Sequence, residues 1–325
     1  LQQCVRESDT VARLGGDEFA IIISPIDAEH QITAVADQVI NAMAKPYIIN
    51  GEENNIAASI GIAVFPYDGA TIAELMRNSD IAMYRAKAQG GGQYQVFNVE
   101  MFKSALTLLQ LETDLKRAAA LQEWEIYYQP VIHLESGGIV GVEALIRWRH
   151  PERGLIPPGE FIPVAEESGL IIQIGEYILR EACRQVKKWR DANHSKLWVA
   201  VNLSARQFQD QALLNKVGQI LYESELPSNS LRLEVTETVA MKDFEYSIKI
   251  LKEMEALGIH LSLDDFGTGY SSLGYLKRFP IKSLKIDRSF IRDIQNDKNS
   301  EAITSAIIAL GHNLSLEVVA EGVET

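Results

Sequence analysis

Only two cysteines occur in 325 residues, Cys4 and Cys183. They stand too far apart to read as a metal-binding pair and are taken as reduced thiols, as expected of a cytoplasmic protein. Basic residues are also scarce, with 31 Lys and Arg against 44 Asp and Glu, a net charge of −13. That balance excludes a nonspecific binder of DNA or RNA polymers, which needs a basic surface. A phosphate-bearing substrate would have to be met by a local site instead. No apolar run is long enough for a membrane span and no signal peptide opens the chain, so no membrane contact is expected of these residues. His133, His150, His194, His260 and His312 show no HxH or HExxH spacing and read as ordinary core or surface residues. The chain opens on Leu1 rather than Met and stops at Thr325. It reads as a piece of a longer protein at both ends, with room in the parent for an N-terminal sensor or membrane anchor.

What is present is an ordinary globular composition, 46% hydrophobic and 23% charged, long enough for two domains with sizeable cores. Residues 1–98 form a first region. There "TVARLGGDEFAIII" places two strand-like runs around a Gly-Gly-Asp-Glu turn, which is hairpin chemistry because glycine accepts positive φ. A helix-period stretch from Ile32 to Ala44, a strand from Asn55 to Phe65 and the helical "TIAELMRNSDIAMYRAKAQGGG" follow. Residues 99–121 read as an amphipathic linker helix, and residues 122–325 as a second domain.

In that second domain, β-type runs alternate with helices. The runs are "IYYQPVIH", "IVGVEALI", "LWVAVNL", "LRLEVTE", "HLSLDDF", "SLKIDR" and "LEVVAEGV". The first two are close enough to be linked as a hairpin. The helical segments expected between later runs are 174–193, 207–223, 244–257 and 300–312. Such alternation predicts a parallel sheet covered by helices, closing as a (β/α)8-type barrel, with the eighth strand beyond Thr325.

Polar residues then fall into a pattern. Glu143, Asn202, Glu234, the adjacent pair Asp264 and Asp265, Lys285 with Asp287, and Glu321 each stand at or near the C-terminal end of a run. Strand ends of a barrel converge on one face, so residues spread along the chain would meet in one cup. A single acid at a strand end is most often a helix cap, but their recurrence at successive strand ends is not explained that way. Gathered carboxylates repel unless a cation holds them. An oxygen-only set without His or Cys suits Mg2+ or Mn2+ rather than zinc. Two adjacent aspartates allow one to bridge two ions, and a two-metal site is the usual machinery of phosphodiester cleavage. Lys285 would position the attacking water or neutralise phosphate charge.

"VEALIRW", "VNLSARQF", "LEVTET", "DDFGTGYSSL", "LKIDRSFI" and "EGVET" resemble, in order, the motif set of EAL domains, phosphodiesterases of the bacterial second messenger cyclic di-GMP. "RLGGDEF" resembles the signature of GGDEF domains, the diguanylate cyclases often fused before them. The resemblance implies an α/β fold, a partial GGDEF domain followed by a TIM-like EAL barrel lacking its last strand. It also implies direct metal ligation by Glu143, Asn202, Glu234 and Asp264, with Asp265 serving the second ion. Lys285 and Glu321 resemble residues that position the hydrolytic water and complete the metal site. Arg147 matches a position that contacts substrate phosphate, and Gln129 lies where the family's substrate cleft begins. The loop from Phe266 to Leu273 resembles a segment tied to metal binding and to homodimer formation through the EAL domain, and Glu237 matches the residue that anchors it. Asp287 is read as a supporting residue. The implied reaction opens cyclic di-GMP to linear pGpG. A Gln-Gly motif near the family's last strand would lie beyond Thr325, so hydrolysis is expected of the intact parent rather than of this piece.

For the first region the resemblance leaves Gly15, Gly16, Asp17, Glu18 and Lys87 as remnants of a cyclase site. The family pattern continues Gly-Arg-Asn where this chain has Gly90, Gly91 and Gly92. Loss of that guanidinium disfavours cyclase activity and points to a regulatory domain. "RESD" places Arg6 and Asp9 as an RxxD inhibitory site for cyclic di-GMP. The leading reading is a cyclic di-GMP phosphodiesterase. The alternatives are a non-catalytic cyclic di-GMP receptor and a bifunctional cyclase/phosphodiesterase.

Overall fold

Hairpins, helices and strands alternate as the patterning predicts, and a few elements differ. The structure is a computed structural model that describes residues 1–26, 30–49, 52–268 and 273–323. The chain divides into two compact units between Gln110 and Leu111. In the first, β1 (Thr10–Gly15) and β2 (Glu18–Ile22) form the antiparallel hairpin. Helix α1 (His30–Met43), a short hairpin of β3 (Tyr47–Ile49) and β4 (Glu52–Asn54), strand β5 (Ile60–Ile62), helix α2 (Ile72–Ala88) and strand β6 (Tyr94–Val96) complete it. The strand expected over 55–65 is therefore only Ile60–Ile62, which pairs in parallel with β6. Helix α2 begins at a Thr71–Glu74 capping box, which satisfies two orphan backbone donors reciprocally. Residues 99–121 are one helix, α3 (Val99–Leu121), and the division between the units falls inside it.

The second unit opens with an antiparallel pair, β7 (Trp124–Ile132) and β8 (Ile139–His150). A short strand the sequence did not reveal, β9 (Gly154–Ile156), folds back on β8, and is followed by α4 (Pro158–Ser168) and α5 (Ile171–Asp191). The chain continues as β10 (Trp198–Asn202), α6 (Ala205–Phe208), α7 (Leu213–Ser224), β11 (Leu231–Thr236), α8 (Glu237–Lys242) and α9 (Phe244–Ala256). It then runs through β12 (His260–Phe266), α10 (Leu273–Leu276), β13 (Ser283–Ile286), α11 (Arg288–Arg292), α12 (Lys298–Asn313) and β14 (Glu317–Ala320). The strand order β14-β13-β12-β11-β10-β8-β7 is that of a TIM-like sheet entered by a hairpin, with every later pairing parallel. Among the described residues no further strand joins β14 to β7. Nor is any described helix long and apolar enough to cross a membrane.

Helix α5 shows why the sheet is covered. Its Ile171, Ile174, Ile178, Ala182 and Val186 are buried, spaced three or four apart so that one stripe faces the sheet. Each fully buried Ile or Val contributes about 1.5–3 kcal/mol. On the sheet side the same core takes Val142, Ala144, Ile146 and Trp148 of β8, with Val199 and Val201 of β10. These have the parity opposite to Glu143 and Asn202, so the polar residues face away from the helices.

One contact on the polar face constrains β8. Trp198 is registered against Gly141, and a Cβ on Gly141 would lie 2.2 Å from the Trp198 ring. The ring's other neighbour is the Arg232 guanidinium, 3.7 Å from the ring centroid, so it has little room to retreat. Gly141→Ala is expected to destabilise the barrel unit by about 1–3 kcal/mol, as overpacking does. A lowered denaturant midpoint followed by tryptophan fluorescence would show it, and an unchanged midpoint would contradict the contact.

Candidate active site

Registered residues in a sheet face the same side, and the pairings carry one face around the whole strand order. Gln129 is opposite Glu143, Glu143 opposite Ala200, Asn202 opposite Glu234, and Glu234 opposite Ser262. Two residues on, Asp264 keeps that parity. Ser262 is opposite Ser283 and Lys285 opposite Val319, so Lys285 and Glu321 share it as well. Period-two alternation thus brings residues nearly two hundred positions apart to one cup at the strand ends.

Lys285 is the centre of that cup. Its Nζ donates to Glu234 Oε2 at 2.6 Å, to Glu143 Oε2 at 3.3 Å and to Asp264 Oδ2 at 3.3 Å, and pairs with Glu321 Oε1 at 2.6 Å. Asn202 Nδ2 donates to the other oxygen of Glu143 at 2.7 Å. One ammonium therefore faces four carboxylates, and the charges do not balance. Burial pushes the Glu234 carboxyl up to about 8; Lys285 opposes this, while Glu143 and Asp264 add to it. For Lys285 burial works against the charge, but Glu234, Asp264, Glu143 and Glu321 outweigh it and hold the ammonium above the ordinary lysine value. Glu321 is raised by burial too, with Lys285 opposing.

The two adjacent aspartates both reach the cup because β12 breaks its alternation between them. Asp265 has φ 53°, a left-handed conformation that costs a non-glycine residue energy and is found where surrounding structure imposes it. The ladder to β13 slips register between Leu263 and Phe266. As a result one oxygen each of Asp264, Asp265 and Glu321 lies within 4.8 Å of the other two. The Asp265 N–H donates to Asp264 Oδ1 at 2.9 Å. Burial, then Asp264 and Asp287, raise the Asp265 carboxyl. Asp287 is held low despite its partial burial, chiefly by Ser289 at the start of α11 and then by Asp265. It is not among the described ion-pair partners of Lys285.

These donors fit a hard divalent cation. All are oxygens, they carry more negative charge than Lys285 neutralises, and three come within mutual coordination range without rearrangement of the strands.

Buried Glu237 accepts from the Gly267 N–H at 3.1 Å, so it ties α8 to the backbone just after the aspartates. Gly269 to Ser272 of the same loop and the last two residues of "EGVET" lie outside the described residues. Gln129 is exposed beside Glu143, and Arg147 is half-buried four residues further along β8, on the face that carries Glu143. Tyr127, which the sequence reading passed over, is on that face too; the alternation of "IYYQPVIH" was the available signal.

In the first unit, Gly15, Gly16, Asp17 and Glu18 form the exposed tip of the β1–β2 hairpin, and Arg13 donates to Gly16 O at 2.7 Å. Lys87 is exposed on α2. Asp17, Glu18 and Lys87 make no ion pair among the described residues. Gly91 and Gly92 have φ of 69° and 65°, a left-handed conformation that disfavours the Arg of the family pattern at the first of these places. Asp9 Oδ2 accepts from the Arg6 N–H at 2.9 Å, closing a four-residue turn that leaves the Arg6 side chain exposed.

The EAL domain family matches residues 112–325, which include every residue of the cup. The chain belongs to the EAL domain family. Ahead of the EAL domain, residues 1–93 match the diguanylate cyclase GGDEF domain. The chain is 49% identical over 324 residues to the bifunctional diguanylate cyclase/cyclic di-GMP phosphodiesterase MucR of Pseudomonas aeruginosa, covering 99% of this chain and 47% of MucR. It is 40% identical over 322 residues to the cyclic di-GMP phosphodiesterase PdeR of Escherichia coli, covering 99% of this chain and 48% of PdeR. The solved structure of the PaMucR phosphodiesterase in complex with c-di-GMP is 51% identical, with a TM-score of 0.65 over 66% of this chain and 87% of that one. The chain thus spans about half the length of these curated relatives.

The raised Glu234 sets a pH dependence for the metal-free EAL domain. Its carboxyl titrates near 4.5 when exposed and at about 8 when folded, so between those values the folded chain holds a proton that the unfolded chain has lost. Stability from this group is full below about 4.5 and is lost as pH rises toward 8. In EDTA, Tm is expected to fall across that window, with Glu234→Gln flattening the slope. An equal slope in the variant would contradict the protonated carboxyl.

Proposed function

We propose that the EAL domain hydrolyses cyclic di-GMP to linear pGpG with two Mg2+ or Mn2+ ions. The observation that carries this reading is the ring of four carboxylates around Lys285 at the ends of the barrel strands, in a family whose curated relatives include named cyclic di-GMP phosphodiesterases. Glu143, Asn202, Glu234 and Asp264 would hold one ion, with Asp265 and Glu321 extending the donor set to a second. When bound, the ions supply Lewis acidity to the phosphoryl oxygen and lower the pKa of the attacking water.

The chain's own residues do the rest. Lys285 holds Glu143, Glu234, Asp264 and Glu321 together before any cation arrives, so the donors do not have to be gathered at the moment of binding. Its ammonium also stands where negative charge builds up on the phosphoryl group. Arg147 anchors phosphate, and Gln129 lines the start of the cleft beside Glu143. Glu237 steadies the backbone just after Asp265, and Asp287 supports the Asp265 side chain. Attack by water on phosphorus breaks one P–O3′ bond, and the released 3′ oxygen takes a proton, so the ring opens with one water consumed. The GGDEF domain is assigned a regulatory role, with Arg6 and Asp9 as its cyclic di-GMP contact. Gly91 and Gly92 in place of Arg and Asn speak against synthesis.

The test is hydrolysis by the full-length protein, resolving pGpG by chromatography with Mg2+ or Mn2+. Glu143→Ala removes a donor and a Lys285 partner together. It is expected to lower kcat/KM by more than the roughly 10–100-fold seen when an outer partner of a metal ligand is lost. Binding of cyclic di-GMP without turnover in wild type would place the protein among receptors instead.

A further inference from the structure

Arg147 is the cation of the cup wall that no carboxylate claims. Glu125 stands directly opposite it in the β7–β8 register, yet its carboxylate is taken by Arg149, with Nη2 at 2.6 Å and Nε at 3.1 Å. Among the described residues Arg147 donates one side-chain hydrogen bond, from Nη1 to the neighbouring Ile146 carbonyl at 2.8 Å, and has no ion pair. Its guanidinium lies instead over Tyr127, 5.4 Å from the ring centroid. Tyr127 is opposite Leu145, so it is the diagonal neighbour of Arg147 on the face that carries Gln129 and Glu143, within reach of a long side chain.

We propose that Tyr127 is a positioning residue for Arg147, holding the guanidinium against the cup wall while leaving its charge free for a substrate phosphodiester. This rests on the cyclic dinucleotide reading. A cyclic dinucleotide carries two phosphodiester anions, of which one is cleaved at a time, and the other needs a cation outside the metal cluster. In a chain of net charge −13, a carboxylate partner would fix Arg147 but cancel the charge the substrate needs. An aromatic face attracts the guanidinium through its quadrupole and carries no charge of its own. It also removes rotamer freedom from Arg147 before the substrate arrives. Tyr127 is 42% exposed, more than a residue placed only to fill the core, so it stands at the open wall of the cup.

The test is a double-mutant cycle in the full-length protein, with KM and kcat for cyclic di-GMP and Tm measured for each variant. Tyr127→Leu is expected to raise KM about three- to tenfold, the range of an exposed to partly desolvated cation–π contact, with little change in kcat. Tyr127→Phe, which keeps the ring, should match wild type. In an Arg147→Ala background Tyr127→Leu should add no further effect. An equal rise in KM in both backgrounds, or a Tyr127→Phe as impaired as Tyr127→Leu, would overturn the role of Tyr127 and leave the phosphodiesterase reading intact. Wild type that turns over no cyclic di-GMP would overturn the reading beneath it.

Discussion

Everything at the active end of the barrel depends on one buried ammonium. Lys285 is 3% exposed, and a lone charge in that position would be expelled or neutralised. It persists because β8, β11 and β12, and the residue just past β14, each bring it a carboxylate. The dependence is mutual, since without the ammonium the same carboxylates would repel at close range. The cup is thus assembled by the chain itself, with four carboxylates around one ammonium.

The strand pairings supply the geometry for this. In a parallel ladder a residue and its registered partner look the same way, so acids at equivalent heights on successive strands converge without any loop to arrange them. The exception is Asp265, which enters the cup only because β12 adopts a left-handed residue and a slipped register there. The left-handed residue is the one that carries the second of two adjacent carboxylates into the cup. Glu237 accepts from the Gly267 amide just after that departure, and Asp287 meets the Asp265 side chain itself.

Much of this was legible in the sequence, and the reasons are physical. Runs such as "LRLEVTE" and "HLSLDDF" carry an acid near their C-terminal ends, and the barrel makes ends meet, so Glu143, Asn202, Glu234, Asp264, Lys285 and Glu321 could be grouped before any coordinates. Three kinds of feature were not legible. The helix Pro158–Ser168 begins at a proline and contains Pro163; the first turn of a helix tolerates the one, but the other is an interior helix breaker, so the stretch reads as loop. The stretch 55–65 has strand composition, but only Ile60–Ile62 finds a partner, and partners are a tertiary matter. Finally, nothing in "EALIRWR" tells which of Arg147 and Arg149 is neutralised; that depends on where the Glu125 carboxylate points.

If this cup is a two-metal site rather than a buried ion-pair cluster complete in itself, it takes up divalent cations without substrate. Mn2+ titration of the protein, counting free ion by electron paramagnetic resonance, tests it without reference to turnover. Two tight ions per chain are expected in wild type, with loss of tight binding when Asp264 is replaced by Asn. Mn2+ that stays free in wild type, or equal binding by the Asp264→Asn protein, would contradict a two-metal site and leave Lys285 with its carboxylates as a structural cluster.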